Sequence, residues 1–90
     1  MERKIRQIQP AEGPAKAFGV VLREARKAHG LSQEQLAFEC GLDRSYVSLV
    51  ERGVQSPTIR KLFRLAEVLK TTPSELMRRT EALLSPHGKR

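Results

Sequence analysis

Residues 32 to 53, SQEQLAFECGLDRSYVSLVERG, constrain the fold of this chain more than any other stretch. Two short helical patterns meet there at Gly41. The first opens at Ser32, whose hydroxyl suits the backbone amide three residues on. Gln35 stands where its side chain can reach back, so the pair reads as a capping box. The second opens at Asp43, another good cap residue. Between them Gly41 supplies the positive φ that ends a helix in a tight turn. Leu36, Ala37, Cys40, Val47 and Val50 are spaced so that both helices bury one face on a shared core. The second helix then keeps an outer face whose first turns carry Arg44, Ser45, Tyr46 and Ser48. These side chains can donate to base edges or to phosphates.

Ninety residues make one small domain with a single modest core. No alternating strand pattern is visible, and the turn residues fall between helical patterns, so the expected class is all-α. The net charge of +7 points to a polyanionic partner. Nucleic acid is the first candidate. An anionic membrane surface is the rival, but the chain has no apolar run long enough to span or insert. The charged N-terminus lacks the apolar centre of a signal peptide, which predicts a cytoplasmic protein. One cysteine makes no internal disulfide, in keeping with a reducing compartment.

The flanking segments complete the pattern. Residues 1–14 are basic through Arg3, Lys4 and Arg6 and are broken by Pro10, Gly13 and Pro14. They read either as a mobile tail or as an arm that orders along a DNA groove on binding. A first helix over 15–28 places Phe18, Leu22 and Ala25 on one face with Val21 beside them, and Gly30 stops it. His29 reads as a solvated residue at that helix end. After the loop 52–56, Ser56 before Pro57 predicts a capped start for a fourth helix running to about Leu69. Its buried stripe is Ile59, Leu62, Leu65, Ala66 and Leu69, with Phe63 alongside; Arg60, Lys61 and Arg64 are left outward. Arg60 and Lys61, close to the preceding loop, read either as phosphate contacts or as a solvated face. Thr72 and Glu75 fit a second capping box, with Pro73 just inside. The fifth helix carries Leu76, Met77, Thr80, Leu83 and Leu84. One apolar row can pack on the domain, and a second needs another cover, which a symmetry-related copy can supply. The alternative assigns all of them to the intramolecular core. The helix stops in 85–88, leaving a domain over 15–85 and a basic tail over 86–90.

Catalysis has little to stand on. Cys40 lies on the apolar face of its helix and reads as a small core residue. One Cys and two His do not make a four-ligand metal site. No glycine-rich phosphate loop is present, and Ser45 and Ser48 lack a supported base. An enzyme, a cofactor, a metal and a small-molecule ligand are therefore not expected.

The stretch resembles the helix-turn-helix of the Cro/cI-type repressor family, also called the XRE family. Leu31, Ser32, Gln33, Glu34, Leu36, Ala37, Gly41, Val47, Ser48, Glu51 and Gly53 carry the resemblance, with Arg26 upstream and Pro57, Leu65, Ala66, Leu69 and the 73–76 turn downstream. It spans roughly residues 16 to 78. The string DRSYVSLVERG is also similar to the controller proteins of restriction–modification systems. The resemblance implies a compact five-helix bundle of the lambda-repressor-like DNA-binding type, with the third helix in the major groove. It implies that Arg44, Ser45, Ser48 and Leu49 read bases. Arg44 can bond guanine O6 and N7 together, whereas the family often has glutamine there, so adenine recognition does not carry over. Leu49, outward in the family pattern, can touch a thymine methyl or pack on a partner subunit. Gln33 matches a position that grips the DNA backbone and braces the first reading residue. Tyr46 can bond a phosphate; its other reading is packing against the second helix. Arg26 and Glu51 match an ion pair tying helix one to the end of helix three, with the arginine near the DNA backbone; the other reading leaves both solvated. The expected backbone contacts are thus Gln33, Tyr46, Arg26, Gln55, Arg60 and Lys61. The expected dimer interface is Leu76, Met77, Thr80, Leu83 and Leu84.

Together these expectations describe a homodimeric, sequence-specific regulator of transcription on double-stranded DNA. It would read a pseudo-palindrome and repress or autoregulate by default, with contact to RNA polymerase the route to activation. The rival class is a protein-interaction module, such as an antitoxin or bridging coactivator, that reuses the fold. A second rival is a charge-driven binder without base preference, whose affinity for specific and random duplexes would be alike.

Overall fold

The structure is a computed structural model, and it describes residues 13–84. The basic segment expected over 1–14, apart from Gly13 and Pro14, lies outside those residues, as do the helix stop and the tail after Leu84. Five helices and no strand occur among the described residues: α1 (Pro14–Ala28), α2 (Gln33–Cys40), α3 (Arg44–Glu51), α4 (Ile59–Val68) and α5 (Pro73–Leu84). Helix α1 packs on α5 and α3, and α2 packs on α3 and α4. The core therefore closes around α1 and the α2–α3 pair.

Local rules place the central turn. Ser32 accepts the Gln35 amide at 3.0 Å, and Gln35 Oε1 accepts the Ser32 amide at 2.8 Å, a complete capping box. Gly41 takes φ 69° and ψ 34°, the left-handed conformation that costs a side-chain-bearing residue most. The Leu42 amide bonds the Ala37 carbonyl at 2.8 Å and closes the turn. Asp43 is the N-cap of α3, but its side chain makes no cap bond.

The fully buried side chains Val21, Leu22, Leu36, Cys40, Val47, Val50, Leu65 and Leu76 come from all five helices. One contact sets the α1–α3 distance. A Cβ placed on Gly19 would lie 2.4 Å from the Glu51 carbonyl oxygen and 2.5 Å from that of Val50. Helix α1 thus crosses the last turn of α3 backbone to backbone, with no room for a methyl group.

Four expectations are corrected. The fourth helix begins at Ile59 rather than at Pro57. Its cap is Thr58, whose hydroxyl accepts the Lys61 amide at 3.2 Å, not Ser56. Ile59 is 70% exposed, because it shares with Phe63 a shoulder of α4 turned off the Leu62, Leu65, Ala66, Leu69 stripe. The second capping box is half formed: Thr72 accepts the Glu75 amide at 3.1 Å, while the Glu75 carboxylate instead holds Arg78 at 2.7 and 2.9 Å. Those bonds hold the Glu75 carboxyl below its ordinary range. In α5, Leu76 and Thr80 face inward and are buried, so neither offers surface to a partner. The Thr80 hydroxyl donates to the Leu76 carbonyl at 2.8 Å, which satisfies it inside the core. Met77, Leu83 and Leu84 remain exposed.

Candidate nucleic-acid interface

Helix α3 presents two faces. Val47, Val50 and Glu51 are buried, which fixes the rotation of the helix about its own axis. Arg44 and Ser45 in its first turn are exposed, and Ser48 and Leu49 are half-buried beside them. All four expected reading positions therefore retain surface on α3.

A polar network lies behind this face. Arg26 Nε donates to Glu51 Oε2 at 2.6 Å, and Arg26 Nη2 donates to Glu51 Oε1 at 3.0 Å. Arg26 Nη1 donates to the Leu31 carbonyl at 2.8 Å. Both residues are buried, at 7% and 6% exposure. The bidentate bond raises the Arg26 guanidinium above its ordinary pKa, so it stays charged. The solvated reading of this pair is thereby corrected. Three of the five N–H donors of Arg26 serve Glu51 and Leu31, and little of the side chain reaches the surface. Gln33 bridges outward: its Nε2 donates to Glu51 Oε1 at 3.0 Å, and its Oε1 accepts from Arg44 Nη1 at 3.2 Å.

Tyr46 is half-buried and packs against the core cluster. Its burial raises its pKa, so the phenol keeps its proton as a donor. Lys61 Nζ sits 4.3 Å from the centroid of its ring, a cation–π contact that links α4 to α3. Arg60, Lys61 and Arg64 line a cleft of about 180 Å³ with Cys40, Gly41 and Leu42. Arg64 Nη1 donates to the Cys40 carbonyl at 2.9 Å, at the end of α2. From its place in the sequence, Arg64 is expected only as an outward charge. Its acceptor is a main-chain oxygen 24 positions away, which no residue type announces. Gln55 is exposed in the loop after α3, where its amide bonds the Leu49 carbonyl at 3.3 Å. Cys40 is buried at 1% exposure, and burial pushes its thiol up to about 11. No helix among the described residues is long and apolar enough to cross a membrane.

Comparison with known proteins agrees with this geometry. A helix-turn-helix family model matches residues 22–76. The chain is 36% identical over 61 residues to the control protein C.BamHI of Bacillus amyloliquefaciens, covering 67% of this chain and 75% of that one. Its fold is similar to the crystal structure of the restriction–modification controller protein C.AhdI from Aeromonas hydrophila. That match has a TM-score of 0.67 and 52% identity and covers 69% of this chain and 94% of that one. It is also similar to SinR, a master regulator for biofilm formation crystallised in complex with DNA. There the TM-score is 0.64, with 33% identity and 67% and 97% of the two chains covered.

Proposed function

The chain belongs to the helix-turn-helix family, and from that premise we propose that it is a DNA-binding regulator of transcription that reads its operator through the first turn of α3. One observation carries the reading. Arg44 is exposed at the start of α3, and one end of its guanidinium rests on Gln33 while the rest of its donors face outward. A guanidinium so placed suits the paired acceptors O6 and N7 of guanine, a contact worth ~1–3 kcal/mol of discrimination. Ser45 and Ser48 add shorter, less selective contacts, and Leu49 offers an apolar edge to a thymine methyl. Gln33, Tyr46, Gln55, Arg60 and Lys61 supply the phosphate grip, and Arg64 joins them from the same cleft. The net charge of +7 adds sequence-independent attraction that weakens with salt.

The operator is a pseudo-palindrome read by a homodimer, with recognition helices about 34 Å apart. Met77, Leu83 and Leu84 on α5 support self-association, because they are exposed apolar side chains that the chain itself does not cover. Regulation then depends on protein concentration, with repression by occlusion of the promoter as the default. The relatives named as control proteins and regulators support a regulatory rather than an enzymatic role.

The test is selection of duplexes from a random pool, followed by titration of wild type and Arg44→Ala on the selected and a random duplex across salt. A two-fold-symmetric site is expected. Arg44→Ala should lower the specific-to-random ratio about tenfold, within the range of one bidentate base contact. An unchanged ratio would sink the reading and favour the protein-interaction role. Similar wild-type affinity for both duplexes would leave a charge-driven binder instead.

A further inference from the structure

The hydrogen bonds beneath Arg44 have a fixed polarity. Arg26 engages both oxygens of Glu51, at 2.6 and 3.0 Å. Glu51 is an acceptor only, and it takes the Gln33 Nε2 amide at 3.0 Å. A glutamine side chain has one donating and one accepting end, so a carboxylate beside it decides which end faces where. With its NH2 group held by Glu51, the Gln33 carbonyl must face the other way. There it accepts Arg44 Nη1 at 3.2 Å, and arginine can only donate. Four residues from α1, α2 and α3 thus form one ordered series, from a buried ion pair to an exposed side chain.

We propose that Glu51 is a positioning residue for base selection: through Gln33 it orients the Arg44 guanidinium toward guanine, in addition to tying α3 to α1. This rests on the reading that Arg44 contacts a base. The carboxylate gives the Gln33 amide a single orientation, and that orientation anchors Arg44 by one nitrogen while leaving its other donors outward. A long side chain already ordered by such an anchor gives up less freedom on binding. Glutamine at position 51 would remove that constraint. The Gln33 amide could then pair either way, and in one of the two pairings its NH2 group would confront Arg44.

The experiment measures base preference position by position, using full-length chain and a randomised duplex pool. Wild type, Arg44→Ala, Gln33→Met and Glu51→Gln are compared, each normalised to its own binding of random duplex. Arg44→Ala identifies the position that Arg44 reads. At that position Gln33→Met should lose about fivefold or more of the guanine preference, the lower end of what one bidentate contact supplies. Gln33→Met leaves the buried pair untouched, so the test survives if Glu51→Gln fails to fold. Folded Glu51→Gln should show the same positional loss, and the proposal is overturned if it keeps the guanine preference. The proposal alone is overturned if Arg44→Ala abolishes the preference while Gln33→Met keeps it. It is overturned likewise if Gln33→Met weakens all sequences uniformly, as a mere phosphate contact would. If Arg44→Ala leaves every preference intact, the base-reading assignment falls, and this proposal with it.

Discussion

Gly19→Ala sets two opposing effects against each other at a site where the geometry decides between them. Alanine inside a helix is favoured over glycine by about 1 kcal/mol. At position 19 the added methyl would lie 2.4 and 2.5 Å from the carbonyl oxygens of Glu51 and Val50. Bringing the nearer one to 3.0 Å requires the two backbones to part by at least 0.6 Å (3.0 − 2.4). Both obstructing atoms are main chain, so no rotamer change relieves them. The separation would also loosen Phe18, Val21 and Leu22 from Val47 and Val50 across the same interface. Overpacking of this kind costs ~1–3 kcal/mol, and a backbone obstruction belongs at the upper end. The net expectation is a loss of about 2 kcal/mol, which for a domain this size lowers Tm by roughly 8–16 °C. Thermal unfolding followed by circular dichroism measures it. A Tm equal to or above wild type would refute the claim that α1 and α3 meet without room for a methyl group.

Two further outcomes follow from the interior. Arg26→Ala strands the buried Glu51 carboxylate and should destabilise by about 3–5 kcal/mol in urea unfolding, whereas the double substitution Arg26→Met with Glu51→Leu should recover much of that loss. The Cys40 thiol ionises near 11 in the folded chain against an ordinary 9.0, so the folded state keeps its proton where the unfolded state gives it up. Stability should therefore be indifferent to this group below about pH 9 and fall as pH rises from 9 toward 11, a decline that Cys40→Ala should reduce.

What the sequence disclosed follows the reach of each interaction. The Ser32–Gln35 box, the left-handed Gly41 and the Val47–Val50 spacing were legible because each is decided within a few residues. The start of α4 was not. Ser56-Pro57 and Thr58 are both acceptable caps, and only the formed helix shows that Thr58 bonds the Lys61 amide. Ile59 was misplaced because a helical stripe has shoulders, and pattern alone does not say which shoulder the core covers. Leu76 and Thr80 read as dimer interface as readily as core, because the sequence does not tell how much of α5 the domain covers. In the site, the pairing of Arg26 with Glu51 came from family resemblance; its burial needed coordinates. The second partner of Glu51, Gln33, was not legible, since a carboxylate's remaining lone pairs leave no mark in a residue pattern.

The rotation of α3 has a consequence beyond binding. Val47, Val50 and Glu51 seat the helix, while Arg44 and Ser45 contribute surface and no packing. Exchanging the side chains at 44 and 45 therefore leaves the scaffold nearly indifferent, typically within about 0.5 kcal/mol. On the proposed reading of DNA by α3, new operators would lie within single steps of one another, each reached through a stable protein. One residue inserted after Leu42 and carried into α3 would act otherwise. It would turn the helix by about 100° and bring inward the side chains that now face solvent. Diversification of this chain is thus open to replacement at a few sites and closed to changes of length in one short turn.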